Sequence, residues 1–148
     1  MLTLILSGGT GKNKEKSLNK LFLKLTKGKI LYIPIAKETR SHEESYKWFT
    51  SNLRKKDVTM VTDLSKKVNL SKFKGIFIGG GNTFKLLRRI KENKWGSKLK
   101  NFKGIIYGGS AGAIIFGKDI SLALYGKIKD KNKVKLKNTK GLNLVNYN

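Results

Sequence analysis

Apolar residues along this chain fall into short blocks separated by amphipathic stretches. Leu2 to Ser7, "LTLILS", is an apolar run of strand length and predicts a buried strand. "EKSLNKLFLKLT" follows, with Leu18, Leu21, Phe22 and Leu25 spaced to share one helical face. "KILYIPIA" predicts a second strand, and Pro34 near its end suits a strand leaving the sheet. "SHEESYKWFTSNLRKK" opens with a serine cap and an acidic first turn, then puts Tyr46, Phe49 and Leu53 on one side. "DVTMVTDL" alternates and predicts a third strand. "KGIFIGGG" predicts a fourth, followed by the helix "NTFKLLRRIKEN". "KGIIYGG" predicts a fifth, followed by a helix of small residues, "SAGAIIFG". Beyond Gly117, "KDKNKVKLKNTKG" reads as a polar loop with room for one short strand.

Strands alternating with helices imply a mostly parallel sheet covered on both faces, an α/β three-layer sandwich. Sheets of this kind bind ligands at the carboxyl ends of their strands, near the point where strand order reverses. Three glycine-rich turns fall at those ends: "SGGTG", "GGGNT" and "GGSAG". No repeat or linker interrupts the pattern, so residues 1–148 read as one domain.

Composition narrows the chemistry. The chain has no cysteine and one histidine, His42, which excludes disulfides and thiolate catalysis and leaves little for a metal cluster. No apolar run reaches membrane-spanning length, and "LTLIL" is too short for a signal-peptide core, so the expectation is a soluble cytoplasmic protein with no membrane partner. Lys and Arg number 33 against nine acidic residues, a net charge of +24. The lysines are spread over every segment, and the arginines are only Arg40, Arg54, Arg88 and Arg89. That pattern is a solvated basic surface with salt-dependent, non-specific nucleic-acid binding, rather than a dedicated nucleic-acid site.

The glycine-rich turns differ in what they can carry. "SGGTGKNK" has the wrong glycine spacing for a P-loop, with Asn13 where Ser or Thr would bind magnesium. "GGGNT" opens a helix and could cradle an anion, but no acidic ribose partner stands at a convincing distance. Gly108, Ser110 and Gly112 fit the G-x-S-x-G nucleophile elbow in strand–turn–helix context. In such an elbow the sharp turn lifts the serine hydroxyl clear of the sheet, and the N–H of Ala111 faces a developing oxyanion. The alternative is a plain glycine-rich turn that happens to hold a serine. "GGGNT" ends the preceding strand and can supply a second donor from Gly80 or Gly81, which favours acyl transfer over phosphate binding.

"IFIGGGNTFKLL" followed by "IIYGGSAGAIIFG", with "ILYIPIA" and the late "KGLNLV", resembles the peptidase E family of serine peptidases, which includes aspartyl dipeptidases and cyanophycinases. The resemblance runs over nearly the whole chain. It implies a fold like that of class I glutamine amidotransferases, with serine in place of their cysteine. It also implies hydrolysis of short, acidic peptides with an N-terminal aspartate, without metal or cofactor. By position it makes Ser110 the nucleophile and Gly81 and Ala111 the oxyanion donors, with Gly80 beside them and Asn82 and Thr83 supporting the loop. Asp130 falls close to an aspartate implicated in family activity when the loop is aligned from its C-terminal side; otherwise it is a charged loop residue. The family's histidine base lies a few residues beyond the "GLNLV" segment, where this sequence ends, so the domain reads as shortened at its C-terminus. His42, at the start of the second helix, reads as a surface or capping residue. Two expectations follow: a serine peptidase, or a non-catalytic relative that binds acidic peptides or nucleic acid. Under either, an exposed sheet edge predicts a homo-oligomer.

Overall fold

The computed structural model describes residues 1–9, 15–55, 57–125 and 128–146. Five strands are paired throughout in parallel: β1 (Thr3–Ser7), β2 (Ile30–Ile33), β3 (Val58–Met60), β4 (Gly75–Ile78) and β5 (Ile105–Gly109). Their order across the sheet is β1-β5-β4-β2-β3. The central three carry β-branched and aromatic residues on both faces, as expected of strands covered from both sides.

Each face has its own core. Ile30, Tyr32, Phe77 and Tyr107 meet Phe22 of α1 (Lys16–Leu25) and Phe49 and Leu53 of α2 (His42–Leu53). Leu31, Ile33, Ile76, Ile78 and Ile106 point the other way, as alternation along a strand requires. They meet α3 (Thr83–Glu92), α4 (Trp95–Lys100) and the four-residue α5 (Ala111–Ile114). The three-layer α/β sandwich is thus present, with its sheet parallel throughout the described residues.

Local chemistry explains the element boundaries. Ser41 and Glu44 form a reciprocal capping box at the start of α2, each side chain bonding the other's backbone N–H. Asn82 caps α3 by accepting the N–H of Lys85 at 3.0 Å. Pro34 follows β2 directly.

Three details differ from the sequence pattern. Leu21 and Leu25 of α1 are 42% and 45% exposed, and only Phe22 of the expected face is buried. The helix meets the sheet side along Leu18, Phe22 and Thr26, with Leu23 partly buried beside them, which leaves Leu21 and Leu25 facing outward. Between α3 and β5, where the sequence pattern marks no element, a further helix forms: Lys94 adopts a left-handed conformation at φ 56°, and the buried Trp95 begins α4. Trp95 donates its indole N–H to the Leu64 carbonyl at 2.9 Å. Finally, no strand forms among the described residues of the polar tail. One antiparallel bridge joins Asp119 to Lys140, and Leu142 docks by donating its N–H to the Ile115 carbonyl at 2.7 Å.

This arrangement opens a crevice. The connections after β1 and β2 cover one face, while those after β4 and β5 cover the other. Neighbouring strands therefore send their chains apart at β1/β5 and at β4/β2, and the crevice lies above their carboxyl ends.

Candidate active site

Three turns meet in that crevice. The register sets Ser7 beside Gly109 and Ile78 beside Gly108, so β1, β4 and β5 end at one level. Gly8 and Gly9 follow β1, Gly79 to Gly81 follow β4, and Ser110 follows β5. Residues 10–14, the rest of the first turn, lie outside the described residues.

Ser110 sits at φ 50°, ψ −112°, a conformation that a residue with a side chain adopts only when its surroundings enforce it. The enforcement is visible. Its N–H donates to the Ser7 carbonyl at 2.8 Å, and its own carbonyl accepts from Ala113 and Ile114 at 2.8 and 3.0 Å. The flanking glycines are required by space rather than flexibility. A Cβ on Gly108 would lie 2.2 Å from the Gly112 carbonyl oxygen, and one on Gly112 would lie 2.2 Å from that of Ile78. The strand, the turn and α5 are pressed together with no room for a methyl group.

The β4 turn abuts the serine. A Cβ built on Gly80 would come within 3.2 Å of Ser110 Cβ and 3.8 Å of its Oγ. Gly81 has φ 144°, and a side chain there would strike the Ala36 carbonyl at 2.0 Å. Neighbouring donors are committed: Gly79 N–H to Ile33, Asn82 N–H to Ala36 and Ser110 N–H to Ser7. Among the described residues the N–H groups of Gly80, Gly81 and Ala111 have no acceptor. Unpaired backbone donors grouped around a hydroxyl are the physical requirement for holding an oxyanion.

Asn82, Thr83 and Asp130 work as a bracket. Asn82, 5% exposed, donates its side-chain amide to the Lys131 carbonyl at 2.9 Å while its oxygen caps α3. Asp130 Oδ2 accepts the N–H of Thr83 at 2.8 Å. The carboxylate thus stands at the N-terminus of α3, where negative charge is favoured, and ties the polar tail to the glycine turn. Asp130 and Ser110 line one hollow of about 600 Å³, on the side of the serine nearer Ile114.

A second cavity, of about 360 Å³, opens from Ser110 in the other direction, under α1 and α2. Tyr32, Phe77 and Tyr107 line it: Phe77 stacks on Tyr107 at 4.6 Å, and Tyr32 stacks on the fully buried Phe49 at 4.2 Å. Burial pushes the Tyr32 phenol up to about 12, against the opposing pull of the Arg40 charge. Burial likewise raises Tyr107, helped by the negative charge of Glu15. Glu15 accepts the Ser7 hydroxyl, whose oxygen in turn takes the Gly9 N–H at 3.2 Å. The sequence pattern did not mark Glu15, Lys37, Arg40 or Tyr107 as neighbours, because they come from three separate parts of the chain: the start of α1, the segment between β2 and α2, and β5.

His42 is not in either cavity. It is the exposed first residue of α2 and lines a separate hollow with Asp63 and Arg89. Among the described residues, no group of three or more His, Cys, Asp or Glu is placed to hold a metal ion. No helix among them is long and apolar enough to cross a membrane.

A parallel α/β sandwich with a strained serine between a strand and a helix defines a hydrolase-type scaffold. The model of peptidase family S51 matches residues 3–148, and the chain belongs to that family. Among solved structures it is similar to a protein from Listeria monocytogenes EGD-e described as a candidate peptidase E. The TM-score is 0.74 and the identity 24%, covering 98% of this chain and 76% of that one. It is also similar to a peptidase from an acI-B1 Actinobacterium, with a TM-score of 0.62 and 14% identity, covering 95% of this chain and 64% of that one. At these identities the two structures speak to the fold. No curated protein sequence matches the chain.

Proposed function

We propose that this protein is a serine-type dipeptidase that cleaves short peptides with an N-terminal acidic residue. The observation that carries the reading is the backbone of Ser110. A strained φ of 50° at the end of a buried strand is maintained by glycines that cannot be replaced, beside three unpaired N–H groups. In the proposed reaction Ser110 Oγ attacks the peptide carbonyl, and the N–H groups of Ala111 and Gly81, with Gly80 adjacent, hold the oxyanion. Collapse of the tetrahedral species expels the leaving amine, which takes a proton, and leaves an acyl-serine. Water then cleaves the ester and regenerates the hydroxyl. The reading needs no cofactor, only a base within reach of Ser110.

A second reading is favoured by one observation. Among the described residues no histidine lines either cavity at Ser110, and Asp130 Oδ2 is engaged by Thr83. A hydroxyl without a base is a weak nucleophile, so the same scaffold would then bind acidic peptides without cleaving them. Fluorophosphonate labelling separates the two. Rapid labelling of the protein, lost in Ser110→Ala, together with release of leucine from Asp-Leu, is the result expected of the peptidase. A folded sample that neither labels nor hydrolyses Asp-Leu is a binding module.

A further inference from the structure

A parallel sheet gives the molecule two poles. The strands end at one, in the crevice of Ser110, and begin at the other. Lysine is spread over every segment of the sequence, yet each central strand is entered through a pair of them. Lys27 and Lys29 precede β2, Lys72 and Lys74 precede β4, and Lys98 and Lys103 precede β5. Because these strands are neighbours and run the same way, the three pairs stand side by side. The backbone records the adjacency: the Lys29 carbonyl accepts the N–H of Lys74 at 2.9 Å, and the Lys74 carbonyl accepts that of Ile105 at 3.1 Å. Acids are sorted the other way. Glu15, Glu38, Glu43, Glu44 and Asp63 follow the carboxyl ends of strands, and Asp130 reaches that pole through Thr83. Only Asp57, at the β3 edge, directly precedes a strand.

Five of the six lysines are exposed, and Lys29 is half-buried. None belongs to the four salt bridges among the described residues, whose lysine ammonium hydrogen bonds come from Lys85 and Lys91 instead. Two of the six are steadied by rings. Lys29 Nζ lies 6.0 Å from the centroid of Phe73, and Lys98 Nζ lies 5.0 Å from that of Trp95. Lys74, Lys98 and Lys103 also rim a hollow of about 380 Å³ together with Ser71 and Asn101, and no carboxylate lines it. Cations gathered without a counter-ion, with neutral donors between them, are suited to a phosphate group.

We infer that this pole binds the phosphate backbone of a double-stranded nucleic acid. The hollow between Lys74, Lys98 and Lys103 takes one phosphate, and Lys27, Lys29 and Lys72 take its neighbours. The spacing agrees. Two steps between adjacent strands span about 10 Å, and a duplex carries about six phosphate charges in that length of its axis, counting both strands. Six cations face them. The row contains no arginine, so guanine edges go unread and the binding is to backbone alone. Phe73 and Phe102, the rings lining the hollow, are 6% and 5% exposed and give the bases of a single strand no stacking face. They give a lipid bilayer no apolar wedge either. A duplex held here leaves the Ser110 crevice, at the opposite pole, open to small substrates. The inference is independent of whether Ser110 acts on them.

Fluorescence anisotropy with a labelled DNA duplex of about 20 base pairs and arbitrary sequence, at about 50 mM salt, reads the binding. Two triple variants with the same net charge separate place from charge. Lys74→Glu, Lys98→Glu and Lys103→Glu reverse the rim of the hollow, while Lys20→Glu, Lys135→Glu and Lys137→Glu reverse three exposed lysines on α1 and the polar tail. The first set should weaken duplex binding about a hundredfold or more, and the second about threefold or less. The slope of log affinity against log salt should fall in magnitude by about three in the first set and hold in the second. Equal losses in the two sets would mean that net charge alone attracts the duplex and would overturn the assignment, as would a parent protein that binds no duplex. Binding to phosphatidylserine-containing vesicles that the first set abolishes, while duplex binding survives, would make the pole a lipid surface instead. Circular dichroism checks the fold of each variant. The milder set Lys74→Gln, Lys98→Gln and Lys103→Gln, which removes charge without reversing it, should still weaken duplex binding about tenfold.

Discussion

Asp130 accepts the backbone N–H of Thr83 across 47 positions of sequence, joining the polar tail to the first turn of α3. The contact sits one residue from the Asn82 cap and two from Gly81, so it bears on the geometry of the donors around Ser110. Asp130→Ala removes a charge-assisted hydrogen bond and a favourable helix-end charge, and should cost about 1–3 kcal/mol in urea unfolding. Asp130→Asn keeps an acceptor and should cost roughly half as much. Fluorophosphonate labelling should slow in Asp130→Ala and survive in Asp130→Asn. Complete loss of labelling in a stable Asp130→Asn protein would mean that the carboxylate acts on the reacting atoms.

The glycines around the serine make a sharper set. Gly112→Ala places a methyl group 2.2 Å from the Ile78 carbonyl oxygen, and Gly81→Ala places one 2.0 Å from that of Ala36, at a φ of 144°. Each should lose about 3 kcal/mol or fail to fold, because backbone cannot move aside as a side chain can. Gly8→Ala has nothing within 4 Å of its new methyl and should stay within about 0.5 kcal/mol of the parent. Unfolding midpoints of the three variants check the ranking.

Strain at Ser110 has its own signature. If the φ of 50° and ψ of −112° store about 1–3 kcal/mol, glycine should relieve it where alanine does not. Allowing for the greater unfolded-state freedom of glycine, Ser110→Gly should be more stable than Ser110→Ala by about 1 kcal/mol in urea unfolding. Equal stability would show that the turn is relaxed.

Tyr32 gives a pH prediction. Its phenol is raised from 10 to about 12 by burial, so the folded protein holds the proton more tightly than the unfolded chain. The associated stability is fully present below pH 10 and is lost between pH 10 and about 12, where the unfolded chain ionises first. In that window stability should fall by up to about 1.4 kcal/mol per pH unit on this account. Tyr32→Phe should flatten the alkaline limb by that amount. Comparing the variant with the parent cancels the titration of the many lysines.

The net charge of +24 predicts non-specific retention of duplex DNA at low ionic strength. A gel shift present at about 20 mM salt should vanish by about 200 mM, since lysines act through released counterions. Retention of DNA at about 200 mM salt would point to contacts with the bases as well.

Much of this molecule is written in short windows of sequence. Runs such as "ILYI" and "GIFI" are strands because β-branched and aromatic residues suit a sheet buried on both faces, and the helices carry their own caps at Ser41 and Asn82. The elbow at Ser110 is legible for the same reason: glycine, serine and glycine at fixed spacing after a strand is a local backbone requirement. Leu21 and Leu25 were not legible, since four apolar positions on α1 exceed what one line of contact with the sheet can cover. Nor was the helix at Trp95, whose start depends on a left-handed Lys94 and on a carbonyl from Leu64, 31 positions away.

What the chain determined by itself, then, is most of the elements and the glycine–serine–glycine spacing of the elbow, which are set within a few residues. Strand order was left to the tertiary structure. Setting β5 between β1 and β4 is what brings Gly9 and Gly80 against Ser110, and it brings Glu15, Lys37 and Arg40 to one cavity. It also lets Asp130 reach Thr83. These contacts close long loops, so their formation depends on how whole faces bury against each other, and no local spacing of residues encodes that.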